Sequence, residues 1–214
     1  AWAAVTGAAA LGLRLLFKHV QVLPNVVYLD PGLALVPLAG VFMGPAAAWG
    51  FFGASLGADA ILGRLGWLSV FRALGLMFCA LTAERLWTFS LRPRGRMPPL
   101  REQWSRAFRF LLVSVCGCLV FAVWHGLGAE MNRVYPFVYV AGLEFVHAVV
   151  FAVVFGVPLY QVIAREWVRT MDLWRDAMGG DKAWPPTGLA SGFMTFAGAL
   201  GAAAAGIYVS SAVY

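Results

Sequence analysis

Apolar residues in this chain run in long blocks, not in amphipathic stripes. The first block reaches from about Ala3 to Val22 and gives way to a proline-bearing loop, Leu23 to Pro31. A shorter block, Leu33 to Met43, is broken at Gly44-Pro45, and Pro45 suits the first position of a further helix running to about Leu62. A turn at Gly63–Gly66 precedes a block from Trp67 to Phe89. After a polar, arginine-rich stretch come Phe108 to Leu127 and Tyr135 to Ile163, and a last Gly- and Ala-rich block, Gly188 to Val213, reads as a seventh helix. Blocks of about 20 apolar residues suit helices that cross a bilayer, where each backbone donor must be satisfied within its own helix. The fold expected is an all-α integral membrane protein. Residues 1–214 form a single transmembrane domain, a compact bundle of six transmembrane helices with a seventh at the C-terminus. Its core covers about residues 3–163, and an amphipathic segment and the C-terminal apolar helix occupy about 164–214.

Composition sharpens this picture. Hydrophobic residues make up 61% of the chain and charged residues 12%, against about a quarter charged in a soluble domain. That leaves no room for a soluble catalytic domain. The net charge of +6 is concentrated in two stretches, Arg92, Arg94, Arg96, Arg101, Arg106 and Arg109 opposed by Glu102, and Arg165, Arg169 and Arg175. Clustered in short loops, these arginines set topology and do not read as a nucleic-acid surface. Keeping both stretches inside puts the N-terminus in the cytoplasm of a multi-pass protein, expected in a bacterial cytoplasmic membrane. The loops 23–31, 63–66 and 128–134 then lie outside, with Tyr28, Trp67 and Tyr135 as interfacial aromatics. The first block, carrying Arg14 and Lys18 and no basic n-region, does not read as a cleavable signal peptide.

Ionisable residues inside apolar blocks are expensive, so each is a candidate site residue. They are Arg14, Lys18, His19, Asp59, Arg72, Glu84, Arg85, His125, Glu144 and His147. Arg14 and Lys18 share a face, Lys18 and His19 lie where long stems can reach the interface, and Glu84 and Arg85 lie where they can reach headgroups. Glu144 and His147, three apart, share a face of one helix and read equally as an internal bridge or as part of a ligand site. The sequence holds no CxxC, HExxH or GxSxG motif and no phosphate-binding glycine loop. Gly50, Gly53 and Gly57 read as a close-packing face. The cysteines Cys79, Cys116 and Cys118 form no disulfide framework, since Cys116 and Cys118 point to different faces of a helix. Arg72, Gly75, Cys79 and Ala83 fall on one helix face. Such a face is either a packing stripe with Cys79 as a small hydrophobe, or a gap for a flat ligand with a thiolate as soft metal ligand.

The order of elements is similar to that of substrate-binding S-components of energy-coupling-factor vitamin transporters. The features that carry the resemblance are the outer loop Leu23-Pro24-Asn25, the run Val36-Pro37-Leu38-Ala39-Gly40 through Met43-Gly44-Pro45 to Gly57, and the basic inner loop. Ala4 and Ala8, spaced as AxxxA with Ala3 and Gly7 offset by one, resemble the face that docks on the family's coupling module. With a cysteine on the fourth helix, the chain most resembles the solitary vitamin B12 transporters of the BtuM type. The resemblance implies an uptake protein that binds cobalamin from the outer face. Cys79 would be both cobalt ligand and the residue promoting loss of an upper cyanide, so that a transporter would also carry a decyanation activity. Arg72 and Gly75 would lie beside the corrinoid. By loop position, Trp67, Tyr135 and Tyr139 would wall the pocket, and Asn25, Asp30, Asn132 and Arg133 would bind its amide groups. An S-component for another vitamin or precursor, with Cys79 incidental, is the nearest alternative. A membrane sensor module is a third, disfavoured by the want of an output domain.

Overall fold

The computed structural model describes residues 2–17, 20–24, 26–90, 100–167 and most of 200–210, and it is mostly helical. Helix α1 is Trp2–Leu16. A hairpin of β1 (Gln21–Leu23) and β2 (Val27–Tyr28) follows. A 3-10 turn, Pro31–Ala34, leads into α2, Leu35–Met43, and then come α3 (Pro45–Ile61) and α4 (Trp67–Ser90). Helix α5 is Leu100–Met131. Helix α6 (Phe137–Phe151) passes through a π-helical segment, Ala152–Gly156, into α7 (Val157–Trp167). The described residues of 200–210 are helical, and Gly206 lies against the Phe137 ring. The amphipathic stretch from 168, the first part of the C-terminal apolar block (188–199) and the arginines at 92, 94 and 96 lie outside the described residues.

Three helical stretches are long and apolar enough to cross a membrane: Trp67–Trp87, Trp104–Met131 and Phe137–Ala164. Ala3–Leu16 and Pro31–Met43 are apolar but shorter. The first block therefore departs from the helix expected through Val22. Its last residues leave the helix because Val20-Gln21-Val22-Leu23 alternates and is β-branched, which favours a strand, and Pro24 turns the chain back. The strands pair antiparallel, Gln21 with Tyr28 and Leu23 with Val27. The fifth helix departs the other way, extending past both expected ends. Its 32 residues span about 48 Å at 1.5 Å per residue, well beyond the roughly 30 Å of a bilayer's hydrocarbon.

Helix α4 is central, packed on α5, α3 and α2, with α6 on the far side of α5 and α1 against α3. One apolar cluster joins Leu33, Val36, Phe51, Leu76 and Phe121. A second, at the other end, stacks Phe110 on Tyr160 with ring centroids 4.6 Å apart and sets Trp87 edge-on at 5.4 Å from Tyr160. A third buries Leu23, Val26 and Val27 of the hairpin against Ala129 and Val140, so that the hairpin plugs the end of the bundle between α5 and α6. Arg64, in the α3–α4 turn, donates to the Tyr28 hydroxyl and lies over its ring, 4.6 Å from the centroid, pinning the hairpin from the other side. Tyr28 is thereby buried and is not the interfacial aromatic expected.

Small residues set the helix spacings. Gly44, at φ 58°, makes the α2–α3 hinge in a region that favours glycine. At Gly40 a side chain would run into the Ala80 backbone of α4, and at Gly50 it would meet Thr6 and the Ala3 carbonyl of α1. Gly53 and Gly57, expected to share that packing face, meet nothing within 4 Å. The contrast is testable. Gly40→Ala should lower stability in detergent by about 1–3 kcal/mol through overpacking. Gly53→Ala should leave it unchanged or raise it by up to about 1 kcal/mol from helix propensity, as read by thermal unfolding of the two variants beside wild type.

Candidate functional site

The most concentrated chemistry in the fold is a set of buried charges beneath the hairpin. The chain leaves β2 through Leu29 and reaches Asp30, whose Oδ1 accepts from the Gly32 N–H at 3.0 Å and so caps the 3-10 turn. Its other oxygen, Oδ2, accepts from Arg72 Nη2 of α4 at 3.0 Å. Arg72 Nη1 lies 3.9 Å from Glu144 Oε1 of α6. Glu144 is fully buried, and two imidazoles close on it: His125 Nδ1 of α5 at 2.7 Å from Oε1, and His147 Nδ1, one helical turn on, at 3.3 Å from Oε2. The Asp30 backbone N–H completes a ring by donating to His147 Nε2 at 3.4 Å. Four elements thus converge: the hairpin exit, α4, α5 and α6.

A second pair stands alongside. Arg14 of α1 donates to Asp59 Oδ1 of α3 at 2.8 Å and to the Ser55 carbonyl at 3.2 Å. Between the two pairs lies a small cavity of about 20 Å³, lined by Arg14, Asp30, Ser55, Leu33, Phe51 and Leu76. That is room for about one water.

Burying so much charge is tolerable only if each group is paired and hydrogen-bonded. Two guanidiniums face three carboxylates here, and the two histidines supply donors to the third. Satisfaction is incomplete. Arg72 Nε and Nη1 and His125 Nε2 are buried without a hydrogen-bond partner among the described residues. Orphaned buried polar atoms are rare and costly, and they concentrate where a ligand or bound water is to be met.

Of the residues singled out from the sequence, the structure brings together Asp30 and Arg72, with Glu144 and His147 as their neighbours. The remaining expected site residues lie elsewhere. Trp67 is 73% and Tyr139 57% exposed, facing outward, and Tyr135 packs beside Tyr139 with ring centroids 6.4 Å apart. Asn132 and Arg133 sit in the exposed α5–α6 turn, where Asn132 is bonded to the Gly128 carbonyl. Asn25, like Lys18 and His19, lies outside the described residues. Glu84 is buried and ion-pairs with Arg85 at 3.2 Å, a departure from the headgroup contact expected of it.

The stripe through Gly75, Cys79 and Ala83 is a packing face. A side chain beginning at Gly75 would stand 3.0 Å from the Phe121 carbonyl, and one beginning at Gly117 of α5 would stand 3.0 Å from Cys79 Sγ. Cys79 is 3% exposed, within an apolar cluster that includes Cys118, and it does not line the cavity. All three cysteines are free thiols. Among the described residues no group of three or more His, Cys, Asp or Glu is arranged to hold a metal ion.

Sequence reasoning listed Arg14, Asp59 and His125 without finding their partners. The signal was present in the arithmetic: two in-span cations, Arg14 and Arg72, and two in-span acids, Asp59 and Glu144, on four different helices cannot stay unpaired in an apolar core. The chain matches no family model, no curated protein and no solved structure.

Breaking one member of a buried pair leaves its partner stranded. Arg14→Met should therefore destabilise the protein by about 3–5 kcal/mol. Adding Asp59→Leu should recover most of that loss, measured as a double-mutant cycle of denaturation midpoints in detergent.

Proposed function

We propose that this chain is the substrate-binding protein of a membrane uptake system, similar to the S-components of vitamin transporters. It is a multi-pass bundle of the bacterial cytoplasmic membrane that takes a small polar vitamin or precursor at the Asp30–Arg72–Glu144 cluster. The observation that carries the reading is that cluster: guanidinium and imidazole atoms buried without a hydrogen-bond partner among the described residues, with Asp30 also lining a small cavity, at the exit of a hairpin packed on α5 and α6. Charges inside a membrane span are retained where they bind something, and the unpaired Arg72 edge offers donors to a ligand's carbonyl, hydroxyl or carboxylate oxygen. The cavity holds about one water, so the arrangement described is a closed one, and loading requires the hairpin to lift.

Further support comes from the shape of the bundle. Three helices have membrane-crossing length. The hairpin joins α1 to the turn before α2 and packs on α5 and α6, and the site would be reached from that side. Placing this end outward also agrees with the basic residues Arg106 and Arg109 at the other end of α5. On α1, Thr6 and Gly7 turn toward α3 while Ala4 and Ala8 are exposed, in keeping with a docking face for a coupling module.

Cobalamin as the cargo asks more of this architecture. A corrinoid on Cys79 would require α4 and α5 to part by the thickness of the ring at Gly117, across the most extensive helix interface among the described residues. The charged cluster therefore favours the alternative cargo, a smaller polar molecule, with Cys79 as a packing residue. One experiment separates the two. Purified protein is screened by thermal shift against water-soluble vitamins, cobalamin among them, and each hit is repeated in Asp30→Asn, Arg72→Lys and Cys79→Ala. A ligand at 100 times its Kd should stabilise wild type by about 2.7 kcal/mol. The stabilisation should vanish in the Asp30 and Arg72 variants and persist in Cys79→Ala. A shifted cobalamin absorbance spectrum lost only in Cys79→Ala would overturn this choice and establish cobalt–thiolate ligation.

A further inference from the structure

We infer that the ligand of this site is recognised by an uncharged amide edge, a carbonyl oxygen beside an N–H, that bridges Arg72 and His125. The inference rests on the binding reading just given and narrows the ligand to carboxamides, lactams and ureides. The two residues stand at one level of the bundle. On α4, Arg72 falls between Phe71 and Gly75, and on α5, His125 falls between Phe121 and Gly128. Gly75 lies against Phe121 and Gly128 against Phe71, so the closest approaches of the two helices bracket the pair. Both side chains also meet one atom, Glu144 Oε1, with Arg72 Nη1 at 3.9 Å from it and His125 Nδ1 at 2.7 Å. Both are buried, and the Phe121 ring, its centroid 5.9 Å from the imidazole, packs beside His125.

The unsatisfied atoms define what would complement them. Arg72 Nε and Nη1 and His125 Nε2 are buried without a hydrogen-bond partner among the described residues. A guanidinium nitrogen can only donate. A carboxylate oxygen can only accept, so the proton of the neutral imidazole is on Nδ1, toward Glu144, and Nε2 keeps its lone pair. The pair therefore presents donors from α4 and an acceptor from α5. An amide edge matches both: its carbonyl oxygen accepts from Arg72, and its N–H donates to His125. A carboxylate serves Arg72 and offers His125 nothing. An ester or a tertiary amide fails at the same nitrogen.

The balance of charge points the same way. In the cluster and the pair beside it, the guanidiniums of Arg14 and Arg72 stand against the carboxylates of Asp30, Asp59 and Glu144. A ligand carboxylate would add a fourth acid next to Asp30 and Glu144, which already share Arg72, and a buried charge without its own counter-charge is expensive. An ammonium group has no lone pair with which to accept from Arg72. An uncharged edge satisfies a buried atom on each helix and adds no charge to the site. Of the oxygens that Arg72 could serve, a carbonyl is thus selected over a carboxylate.

The test uses three probes built on one ring: nicotinamide, nicotinate and N,N-dimethylnicotinamide, the last keeping the carbonyl without the N–H. Their affinities for the protein in lipid nanodiscs are read by saturation-transfer NMR against empty nanodiscs, and nitrogen-15 shifts of labelled histidine locate the bound probe. Nicotinamide should bind about five- to tenfold more tightly than either analogue, the worth of about one hydrogen bond, and should move the His125 Nε2 signal. Arg72→Lys should weaken nicotinamide by a similar factor. Should that variant fail to fold, the wild-type affinities and the His125 shift decide by themselves. Nicotinate bound as tightly as nicotinamide would overturn the amide assignment and leave a site for an anion. Equal binding of the dimethyl compound, a His125 signal unmoved by nicotinamide, or no binding of any probe would overturn it as well. The binding reading itself falls only if the vitamin screen also finds no ligand that depends on Asp30 and Arg72.

Discussion

A carboxylate fully buried among apolar helices constrains almost everything around it. Glu144 sits on α6 with no exposure, and an isolated charge in such a place would cost far more than any single contact returns. Its neutralisation draws in His125 from α5, His147 from α6 and, through Arg72, α4 and the hairpin exit. Apolar helices in lipid can slide and rotate against one another at little cost, because tails and side chains are chemically alike. A shared buried acid removes that freedom. It fixes which faces of α4, α5 and α6 turn inward and at what height, and the glycine contacts then set how close they come.

The hairpin follows from the same constraint. Asp30 is the only member of the ring that does not sit on a helix of the bundle, and it is held by both its side chain and its backbone. That double hold anchors a segment otherwise secured by Leu23, Val26 and Val27 in an apolar seat and by Arg64 on Tyr28. Chain ordering at a loop is costly, and these contacts offset it. By covering the ion pairs the hairpin also excludes water from them, which strengthens each.

Much of the architecture was legible in the sequence because block length and Gly-Pro punctuation report directly on helix extent. The boundaries at Pro45, Trp67 and Tyr135–Phe137 came out within a few residues for that reason. The end of α1 did not, because Val20 to Leu23 is as apolar as a helix should be, and only its alternation and β-branching distinguish a strand. The site was half legible. Asp30, Arg72, Glu144 and His147 could be flagged one by one as costly residues, but pairing is a property of helix rotation, which no single sequence reveals. Positions assigned by loop membership, Trp67, Tyr139, Asn132 and Arg133, lie on the exposed side of their turns and helices, apart from the charged cluster. An outer loop has two sides, and sequence does not say which side faces the bundle.

Cys79 shows how one residue can carry two readings. A thiol on a small-residue face has the right chemistry for a soft metal and also the right volume for a tight helix crossing. Chemistry made it conspicuous, while volume decided its surroundings: Gly117 and Cys118 on the facing helix are as small as Gly75 and Ala83 on its own, and small faces opposite each other close up instead of leaving a slot. For a corrinoid to enter there, the facing surface would need bulk above and below to prop the helices apart. Charged residues have less freedom. An arginine inside an apolar bundle cannot be packed as filler, so Arg72 lies where acids meet it, Asp30 at the hairpin exit and Glu144 on α6.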